Sequence, residues 1–176
     1  MSEILTERLL LRRARSDDLA AIHAMLSHPT AMRYWSSLPH SDIEQSAEWL
    51  GRMLAQTDDV SDDFIIELEG RVVGKAGCYQ VPNIGYMLHP DYWGRGIATE
   101  ALTPIIAHVF GKFEIEAVIA DVDPRNTASL ALLGRLGFVE SGRAERTWQI
   151  GEEWCDSIYL SLSRQNAAKA PQAQMR

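Results

Sequence analysis

Two glycines, Gly94 and Gly96, form a short loop between an apolar segment and a segment of helical character. Neither residue has a side chain, so a ligand can approach the backbone closely at this point. The first turn of a helix leaves N–H groups without intrahelical partners, and the helix dipole places partial positive charge at that end. We therefore expect residues 93–99 to bind phosphate groups.

Two other interpretations of this loop are open. The glycines could form only a tight turn, or they could belong to a dinucleotide-binding loop of the Rossmann type. That loop needs a third glycine, but Thr99 stands at its place, and no early βαβ unit precedes it. The strand–loop–helix order, together with Asn126 further along the chain, favours the phosphate-binding interpretation.

The overall charge narrows the range of ligands. The chain has 176 residues, with 17 Lys and Arg against 24 Asp and Glu, which gives a net charge of −7. This acidic balance argues against binding to nucleic acid or to a membrane surface. It is compatible with a cationic substrate such as an amine, although many enzymes are mildly acidic.

The cysteines and histidines do not have the spacing that is typical of a metal site or a disulfide framework. Cys78 and Cys155 are far apart and the five histidines are scattered, so we expect no metal site and no disulfide framework. No apolar run reaches membrane-spanning length, and the first residues lack the basic-then-apolar layout of a signal peptide. We therefore expect a cytoplasmic protein.

Periodicity and capping signals predict the elements that position the loop. Predicted strands cover residues 9–13, 64–68, 71–80, 84–88, 116–122, 146–150 and 154–162, and a further strand begins at 138–139. Predicted helices are opened by Ser16, by the capping pattern at 41–44, at Ile97 and by Asn126. The third helix contains Pro104, where we expect distortion. This order indicates a mixed α/β (α+β) protein rather than a doubly wound parallel sheet.

The chain is expected to form a single domain over residues 1–163. Its length suffices for one core, and no linker interrupts this range. Residues 164–176 are rich in Ala, Gln and Lys, a composition that predicts a disordered C-terminal tail.

The chain resembles the GNAT superfamily of acyl-CoA N-acyltransferases in three segments. More narrowly, it resembles the branch of ribosomal-protein N-terminal acetyltransferases. The segments are residues 6–12, residues 84–86 with 89–101, and residues 123–129 with 136–138. Three pieces in the family's order, at family-like separations, form a specific pattern, whereas any one of them alone would be weak. The resemblance covers about residues 6–163.

The resemblance implies a GNAT-like fold with acetyl-CoA as co-substrate. In that fold a central, mostly antiparallel sheet holds acyl-CoA between two splayed strands and carries helices on both faces. Backbone N–H groups of the loop should bind the pyrophosphate, and the preceding strand should pair with the pantetheine arm. The implied cofactor-binding residues are Tyr86, Met87, Leu88, Trp93, Gly94, Arg95, Gly96, Ile97, Ala98, Thr99, Asn126 and Ser129.

The implied reaction is direct attack of a neutral amine on the acetyl thioester in a ternary complex. A backbone N–H group at Met87 or Leu88 would stabilise the developing oxyanion. The enzyme must also help remove a proton from an ammonium and return one to the departing thiolate.

The groups that move these protons are not evident from the sequence. Many relatives place a tyrosine in the later cofactor helix as thiolate acid, and this chain has Leu133 at that position. We expect proton transfer relayed by water, with Glu67, Tyr79 and Asp121 as the side-chain alternatives.

The acceptor follows from the branch that the chain resembles, which favours a protein or peptide N-terminal α-amine. A small amine, such as a polyamine, an amino-acid derivative or an antibiotic, is the alternative. A non-catalytic acyl-CoA-binding module is a hypothesis of a different class. Residues 34–63 would shape the acceptor pocket. Family members occur as monomers and homodimers, and both states are open here.

Overall fold

The computed structural model describes residues 3–168, which form one sheet with helices on both faces. The strands are β1 (Ile4–Leu5), β2 (Leu9–Arg12), β3 (Asp62–Leu68), β4 (Arg71–Gln80), β5 (Asn83–Leu88), β6 (Ala117–Val122), β7 (Val139–Ile150) and β8 (Glu153–Ser163). The helices are α1 (Leu19–Leu26), α2 (Pro29–Met32), α3 (Ile43–Ala55), α4 (Ile97–Lys112), α5 (Thr127–Arg135) and α6 (Arg164–Ala167). The predicted mixed α/β class is confirmed.

The sheet has the strand order β1-β2-β3-β4-β5-β6-β8-β7, and its neighbouring strands are antiparallel except for β5 and β6. β5 and β6 run parallel and, among the described residues, pair only where Asn83 faces Ile119. Beside this point the Ile119 N–H donates to the Pro82 carbonyl at 3.0 Å. From there the two strands diverge, which confirms the predicted splayed strands. We call the gap between them the splay.

Alternation along β3 assigns its side chains to two cores. Phe64 and Ile66 are fully buried in the larger core, on the face covered by α4 and α5. Ile65 points to the opposite face and packs with Ile22 and Met25 of α1 in the smaller core. Each face of the sheet therefore buries its own set of apolar side chains under helices.

The start of the first helix differs from the prediction, because Ser16 does not cap it. Ser16–Asp18 form a single 3-10 turn, and α1 begins after this turn, at Leu19. The Asp18 carboxylate is buried, accepts a hydrogen bond from the Arg15 N–H at 2.7 Å and pairs with Arg12 at 2.7 Å. A buried carboxylate needs such partners, and they hold Asp18 in the turn instead of in the helix.

The next two long helices agree more closely with the sequence. α3 begins one residue later than the capping pattern at 41–44 predicts: its N-cap is Asp42 instead of Ser41, and the Asp42 carboxylate accepts from the Gln45 N–H at 2.9 Å. α4 continues through Pro104, as the sequence predicted. One residue earlier, the Thr103 hydroxyl donates to the Thr99 carbonyl at 2.8 Å.

The C-terminal hairpin contains one long strand where the sequence predicted two short ones. Val139 and residues 146–150 both belong to β7, which pairs with β8 along its length. The pairing shifts register between Ala144 and Trp148, and Arg146 within this interval has a φ of 53°. Such an irregularity interrupts the alternation of side chains between the two faces of the sheet. The sequence pattern is therefore interrupted here, although the strand is continuous.

The expected disordered tail does not begin at Arg164. The short helix α6 starts there, and the Arg164 guanidinium donates to the carbonyl oxygens of Phe110, Phe113 and Ile115 at 2.7, 2.8 and 3.2 Å. The folded unit therefore extends at least to the end of α6, and residues 169–176 of the predicted tail lie outside the described part of the chain. Within residues 3–168, no helix combines the length and the apolar character needed to cross a membrane.

Candidate active site

The splay leaves one edge of β5 open. The His89 N–H donates to the Val73 carbonyl of β4 at 2.9 Å, and the Met87 carbonyl also points at β4. Because backbone groups of successive residues alternate in direction along a strand, those of Tyr86 and Leu88 face β6. Of the two N–H groups predicted to bind the oxyanion, the Leu88 N–H therefore faces the splay and the Met87 N–H faces β4.

The glycine loop follows β5 and ends at the first turn of α4. Gly94 and Gly96 have φ values of 71° and 77°, a left-handed conformation that residues with a side chain rarely adopt. Gly96 is the N-cap of α4, and no side chain caps this end, so the first N–H groups of the helix face outward. The Trp93 indole Nε1 donates to the Leu88 carbonyl at 3.0 Å and joins the loop to β5.

Residues near the start of the chain hold this loop, a contact that the sequence analysis missed. The Thr6 hydroxyl and the Arg8 N–H donate to Glu100 Oε1 at 2.6 and 2.9 Å, and Arg8 Nε donates to Glu100 Oε2 at 2.7 Å. Arg8 Nη2 also donates to the Arg95 carbonyl at 3.1 Å. Burial raises the pKa of Glu100, but these hydrogen bonds together hold it below its usual value. The sequence signal for this contact lay in residues 6–12, the first family-like segment.

The predicted residues of α5 lie beside β5. Asn126 is the N-cap of this helix, and its side-chain oxygen accepts from the Ser129 N–H at 3.2 Å. The Tyr86 hydroxyl is buried, and the Ser129 side chain lies close enough to act on it. Burial raises the pKa of this phenol, and the Ser129 side chain partly offsets that effect. Tyr86 and Ser129 therefore lie close together, with Tyr86 on β5 and Ser129 in the first turn of α5.

A cavity of about 380 Å³ adjoins the splay where β5 and β6 begin to separate. Ile84 and Gly85 of β5 and Asp121 of β6 line it, so the cavity and the splay share the same two strands. Its size falls in the range of small-molecule sites. We call it the aromatic cavity, because its walls include the rings of Tyr34, Trp35, Trp49, Tyr79 and Trp148.

A buried ion pair also lines the aromatic cavity. Lys75 Nζ and Asp63 Oδ2 are 2.6 Å apart, and each side chain is only 4% exposed. Lys75 Nζ lies 5.9 Å from the ring centroids of both Trp35 and Trp49, within the range of cation–π attraction. Burial raises the pKa of Asp63 although the Lys75 ammonium opposes this shift. The two opposite charges leave this part of the cavity neutral overall.

The wall formed by β6 to β8 is acidic. The Trp148 indole Nε1 donates to Asp121 Oδ2 at 2.9 Å, which ties β7 to β6. Arg125 pairs with Asp123 and with Glu153, at 2.6 Å in each case, and so joins the end of β6 to the turn of the last hairpin. These contacts fix the acidic side chains in place.

The helical part of the cavity wall carries positive charge. Arg33, just after α2, and Arg52 of α3 both line it. On the acidic side, Asp156 accepts a hydrogen bond from the Arg146 N–H at 2.9 Å. Within the described part of the chain, neither Asp121 nor Asp156 has a cationic partner. The cavity lining therefore combines carboxylates from β6 to β8 with guanidinium groups from the helical segments.

The three side-chain candidates for proton transfer are separated in the structure. Tyr79 and Asp121 line the aromatic cavity. Glu67 does not, because its carboxylate accepts a hydrogen bond from Arg12 Nε at 2.7 Å on another part of the sheet. Leu133, at the position for which the resemblance implies a tyrosine in many relatives, is fully buried in the larger core. The alternation of side chains along the predicted strands could not show which of these three residues would lie in the same site.

These parts together offer binding groups to two kinds of ligand. The loop and the start of α4 offer backbone N–H groups to an anion, and the open edge of β5 offers strand hydrogen bonds to an extended ligand. The aromatic cavity offers rings and carboxylates to an amine. No group of three His, Cys, Asp or Glu side chains with a metal-binding arrangement occurs among residues 3–168.

Comparison with known proteins gives the same indication. Residues 8–139 match the family model described as an acetyltransferase (GNAT) domain. The chain is 28% identical over 155 residues to the uncharacterized N-acetyltransferase p20 of Bacillus licheniformis, a match that covers 81% of this chain and 85% of p20.

Two solved structures have a similar fold. One is an acetyltransferase from Salmonella typhimurium that modifies the N-terminal serine of 50S ribosomal subunit protein L7/L12, with a TM-score of 0.81 and 19% identity over 92% of this chain and 99% of that one. The other is spermidine N-acetyltransferase from Vibrio cholerae in complex with CoA and spermine, with a TM-score of 0.79 and 18% identity over 93% and 99%. The two proteins share this fold and differ in acceptor.

Proposed function

Since the chain belongs to the GNAT family of acetyltransferases, we propose that it transfers the acetyl group of acetyl-CoA to a primary amine by direct attack in a ternary complex. The observation that carries this proposal is the meeting of the aromatic cavity with the splay at Gly85 and Asp121. The acetyl end of a thioester bound along β5 would lie beside the aromatic cavity, through which an amine can enter. Contact between the two reactants is the main requirement of such a reaction.

The proposed acetyl-CoA site uses the backbone more than side chains. The pyrophosphate binds to N–H groups of residues 93–99, a role supported by the left-handed glycines and the uncapped helix start. The pantetheine arm pairs with the backbone of Tyr86, which faces the splay, and with the Leu88 carbonyl, which also accepts a hydrogen bond from Trp93 Nε1. The Leu88 N–H, rather than that of Met87, stabilises the oxyanion.

We expect Arg8→Met to weaken acetyl-CoA binding modestly. The variant loses the ion pair with Glu100 and the hydrogen bond to the Arg95 carbonyl, so the loop is held less firmly. Because the pair is partly exposed, the dissociation constant should rise by up to about fivefold, measured by isothermal titration calorimetry. Arg143→Met, an exposed arginine on β7, should leave it unchanged.

The same contact predicts a pH dependence. In the folded protein the pKa of Glu100 is held below its usual value. The contribution of the Arg8–Glu100 contact to binding is therefore fully present above the usual pKa, and it is lost as the pH falls through the lower, folded-state pKa. The difference in affinity between parent and Arg8→Met should therefore persist at neutral pH and shrink below about pH 4. A difference that grows on acidification would contradict this assignment.

For the acceptor we propose a peptide N-terminal α-amine. Asp121 and Asp156 attract the amine, and Arg33 and Arg52 on the helical part of the wall suit the carbonyl or acidic groups that follow it in a peptide. An α-amine has a pKa of about 7.7–8.0, against about 10.4 for a lysine-like amine. About 10–20% of the α-amine is therefore already neutral near pH 7, against less than about 0.1% of a lysine-like amine, and water suffices to take up the proton of the remainder.

A small polycation is the second candidate. The aromatic rings of the cavity, together with the carboxylates of Asp121 and Asp156, also suit alkylammonium groups. Such an acceptor has no group for Arg33 and Arg52 to bind, which is why we place it second.

A panel of acceptors tests the proposal. It contains peptides with a free N-terminal Ala or Ser, spermidine, free amino acids and aminoglycosides, with thiol release followed in time and products identified by mass spectrometry. We expect the peptides to be acetylated on the α-amine. Arg52→Glu, which reverses one charge of the helical part of the wall, should lower peptide turnover by up to about fivefold and raise that of spermidine.

Two outcomes of this panel contradict parts of the proposal. Acetylation of spermidine and not of the peptides would replace the peptide acceptor by a small polyamine. Saturable acetyl-CoA binding with no product from any amine would favour the non-catalytic acyl-CoA-binding alternative.

A further inference from the structure

We propose that Tyr79 donates the proton that the departing CoA thiolate takes up, the task for which many relatives use a tyrosine where this chain has Leu133. This role rests on the proposed function, because it requires the acetyl thioester to lie in the splay. Four features of the structure support it: the place of the ring, the bulge that directs it, the contacts that fix the bulge, and the protonation state of the phenol.

The Tyr79 ring lies across β5 where the splay begins. Its Cδ1 and Cε1 atoms lie 3.3 and 3.5 Å from the place of a Cβ on Gly85, so the ring covers this glycine. Gly85, Tyr79 and Asp121 all line the aromatic cavity. The side chain thus extends from β4 over β5 towards the gap in which the thioester is proposed to lie.

A β-bulge gives Tyr79 this direction. β4 and β5 pair regularly up to Cys78 with Ile84, and pairing resumes at Gln80 with Asn83, so Tyr79 is the extra residue. Bulges change the direction of a side chain and are over-represented next to active sites.

The segment that connects α3 to β3 holds the bulge in place. Gln56 Nε2 donates to the Tyr79 carbonyl at 2.9 Å. The Ser61 hydroxyl lies 2.7 Å from Gln56 Oε1 and 3.1 Å from the Cys78 carbonyl. The backbone on both sides of the bulge is therefore anchored, as a group that must be aimed at a reacting atom requires.

The phenol has the protonation state of a donor. Tyr79 is 42% exposed, and the partial burial of its side chain raises the pKa of the phenol; the Asp121 carboxylate raises it further, so the hydroxyl keeps its proton at neutral pH. Tyr86 is the other phenol next to the splay, but its side chain packs against the larger core and does not line the aromatic cavity.

The step balances without a further reactant. The amine nitrogen bonds to the acetyl carbon, and the carbon–sulfur bond breaks with its electron pair on sulfur. The sulfur takes the Tyr79 proton, and the surplus proton on the new amide nitrogen returns through water to the Tyr79 oxygen. The products are the acetylated amine and the CoA thiol, with Tyr79 restored.

The test compares the acidity of CoA bound to the parent and to Tyr79→Phe, followed by the ultraviolet absorbance of the thiolate against pH, with the ligand-free protein subtracted. A hydroxyl that donates to sulfur stabilises the thiolate. Its removal should lower the acid dissociation constant of the bound thiol by about tenfold or more. The dissociation constant of CoA should stay the same, because the ring is retained.

Two further variants complete the experiment. Tyr159→Phe removes a phenol hydroxyl on β8 outside the cavity lining and should leave the thiol acidity unchanged. Gln56→Ala releases the bulge and should reproduce part of the shift, even if Tyr79→Phe proves too unstable to study. With an amine that the parent acetylates, Tyr79→Phe should slow a single turnover by about a hundredfold.

The outcomes separate this proposal from the proposed function. Equal thiol acidity in the parent, Tyr79→Phe and Gln56→Ala overturns the role of Tyr79 and leaves acetyl transfer standing. A parent that does not bind CoA overturns both. A shift in thiol acidity without acetyl transfer to any amine supports the placement of Tyr79 beside the sulfur and contradicts only the transferase activity.

Discussion

Acetyl-CoA should bind to Gly96→Val about tenfold to a hundredfold more weakly than to the parent, the effect of losing one or two charge-assisted hydrogen bonds to phosphate. Gly96 has a φ of 77°, a conformation that strains a β-branched residue. The new side chain meets no close obstacle, since the nearest atom to its Cβ is Arg8 Nη2 at 3.6 Å. The backbone must instead rotate, which turns the first N–H groups of α4 away from the phosphates.

Gly111→Val provides the matched control, because it places the same side chain in the same helix. Gly111 has no atom within 4 Å of its Cβ position and lies far along α4 from the loop. Both variants are compared by isothermal titration calorimetry and by thermal melting. Gly111→Val should bind acetyl-CoA as the parent does. Equal affinity for Gly96→Val would show that the loop does not bind the phosphates.

Lys75→Met should lower the free energy of unfolding by about 3–5 kcal/mol, because it leaves the Asp63 carboxylate buried without its counter-ion. Both side chains of the pair are 4% exposed, and their charged atoms are 2.6 Å apart. A loss of this size is a large part of the total stability of a domain, which is about 5–15 kcal/mol. Urea unfolding followed by tryptophan fluorescence measures it.

A double variant isolates the unpaired charge as the cause. Lys75→Met with Asp63→Asn removes both charges and should recover at least half of the stability lost in the single variant. Arg143→Met breaks a fully exposed pair with Glu140 and should have no measurable effect. If the double variant is as unstable as Lys75→Met, lost packing and not charge explains the effect.

The pH dependence of Lys75→Met gives a second check on its cause. Burial already raises the pKa of Asp63, and removal of the Lys75 ammonium takes away the main group that opposes this shift. A carboxyl whose pKa is raised by folding contributes stability below its unfolded pKa, about 3.9, and loses it as the pH rises through the folded-state value. Parent and variant share this loss up to the folded-state pKa of Asp63 in the parent, so the deficit of Lys75→Met should grow only as the pH rises above that raised pKa, and it should level off above the still higher pKa of the variant.

The backbone part of the site could be predicted from the sequence, because each of its elements depends on near neighbours in the chain. The strand over residues 84–88, the glycines of the loop and the apolar period of α4 are local patterns. The structure contains each of these elements at its predicted place. Their order, together with residues 123–129, also carried the resemblance to the GNAT family, which the comparisons confirm.

Local patterns were misleading where a distant side chain takes part. Ser16 and the acids after it look like the start of a helix, but Arg12 binds Asp18 and holds it in a turn. The composition after residue 163 looks like a tail, but Arg164 binds carbonyl groups at the end of α4 and just beyond it. In both places one long-range contact outweighs local propensity.

The sequence by itself therefore determined the family, the position of the loop proposed to bind phosphate and the strand proposed to hold the cofactor. Only the tertiary structure decided which side chains meet: Arg8 with Glu100, Glu67 with Arg12 instead of the cavity, and Tyr79 with Gly85. Backbone conformation follows from adjacent residues, whereas a contact between side chains depends on strand register, on a bulge and on the packing of elements far apart in the chain.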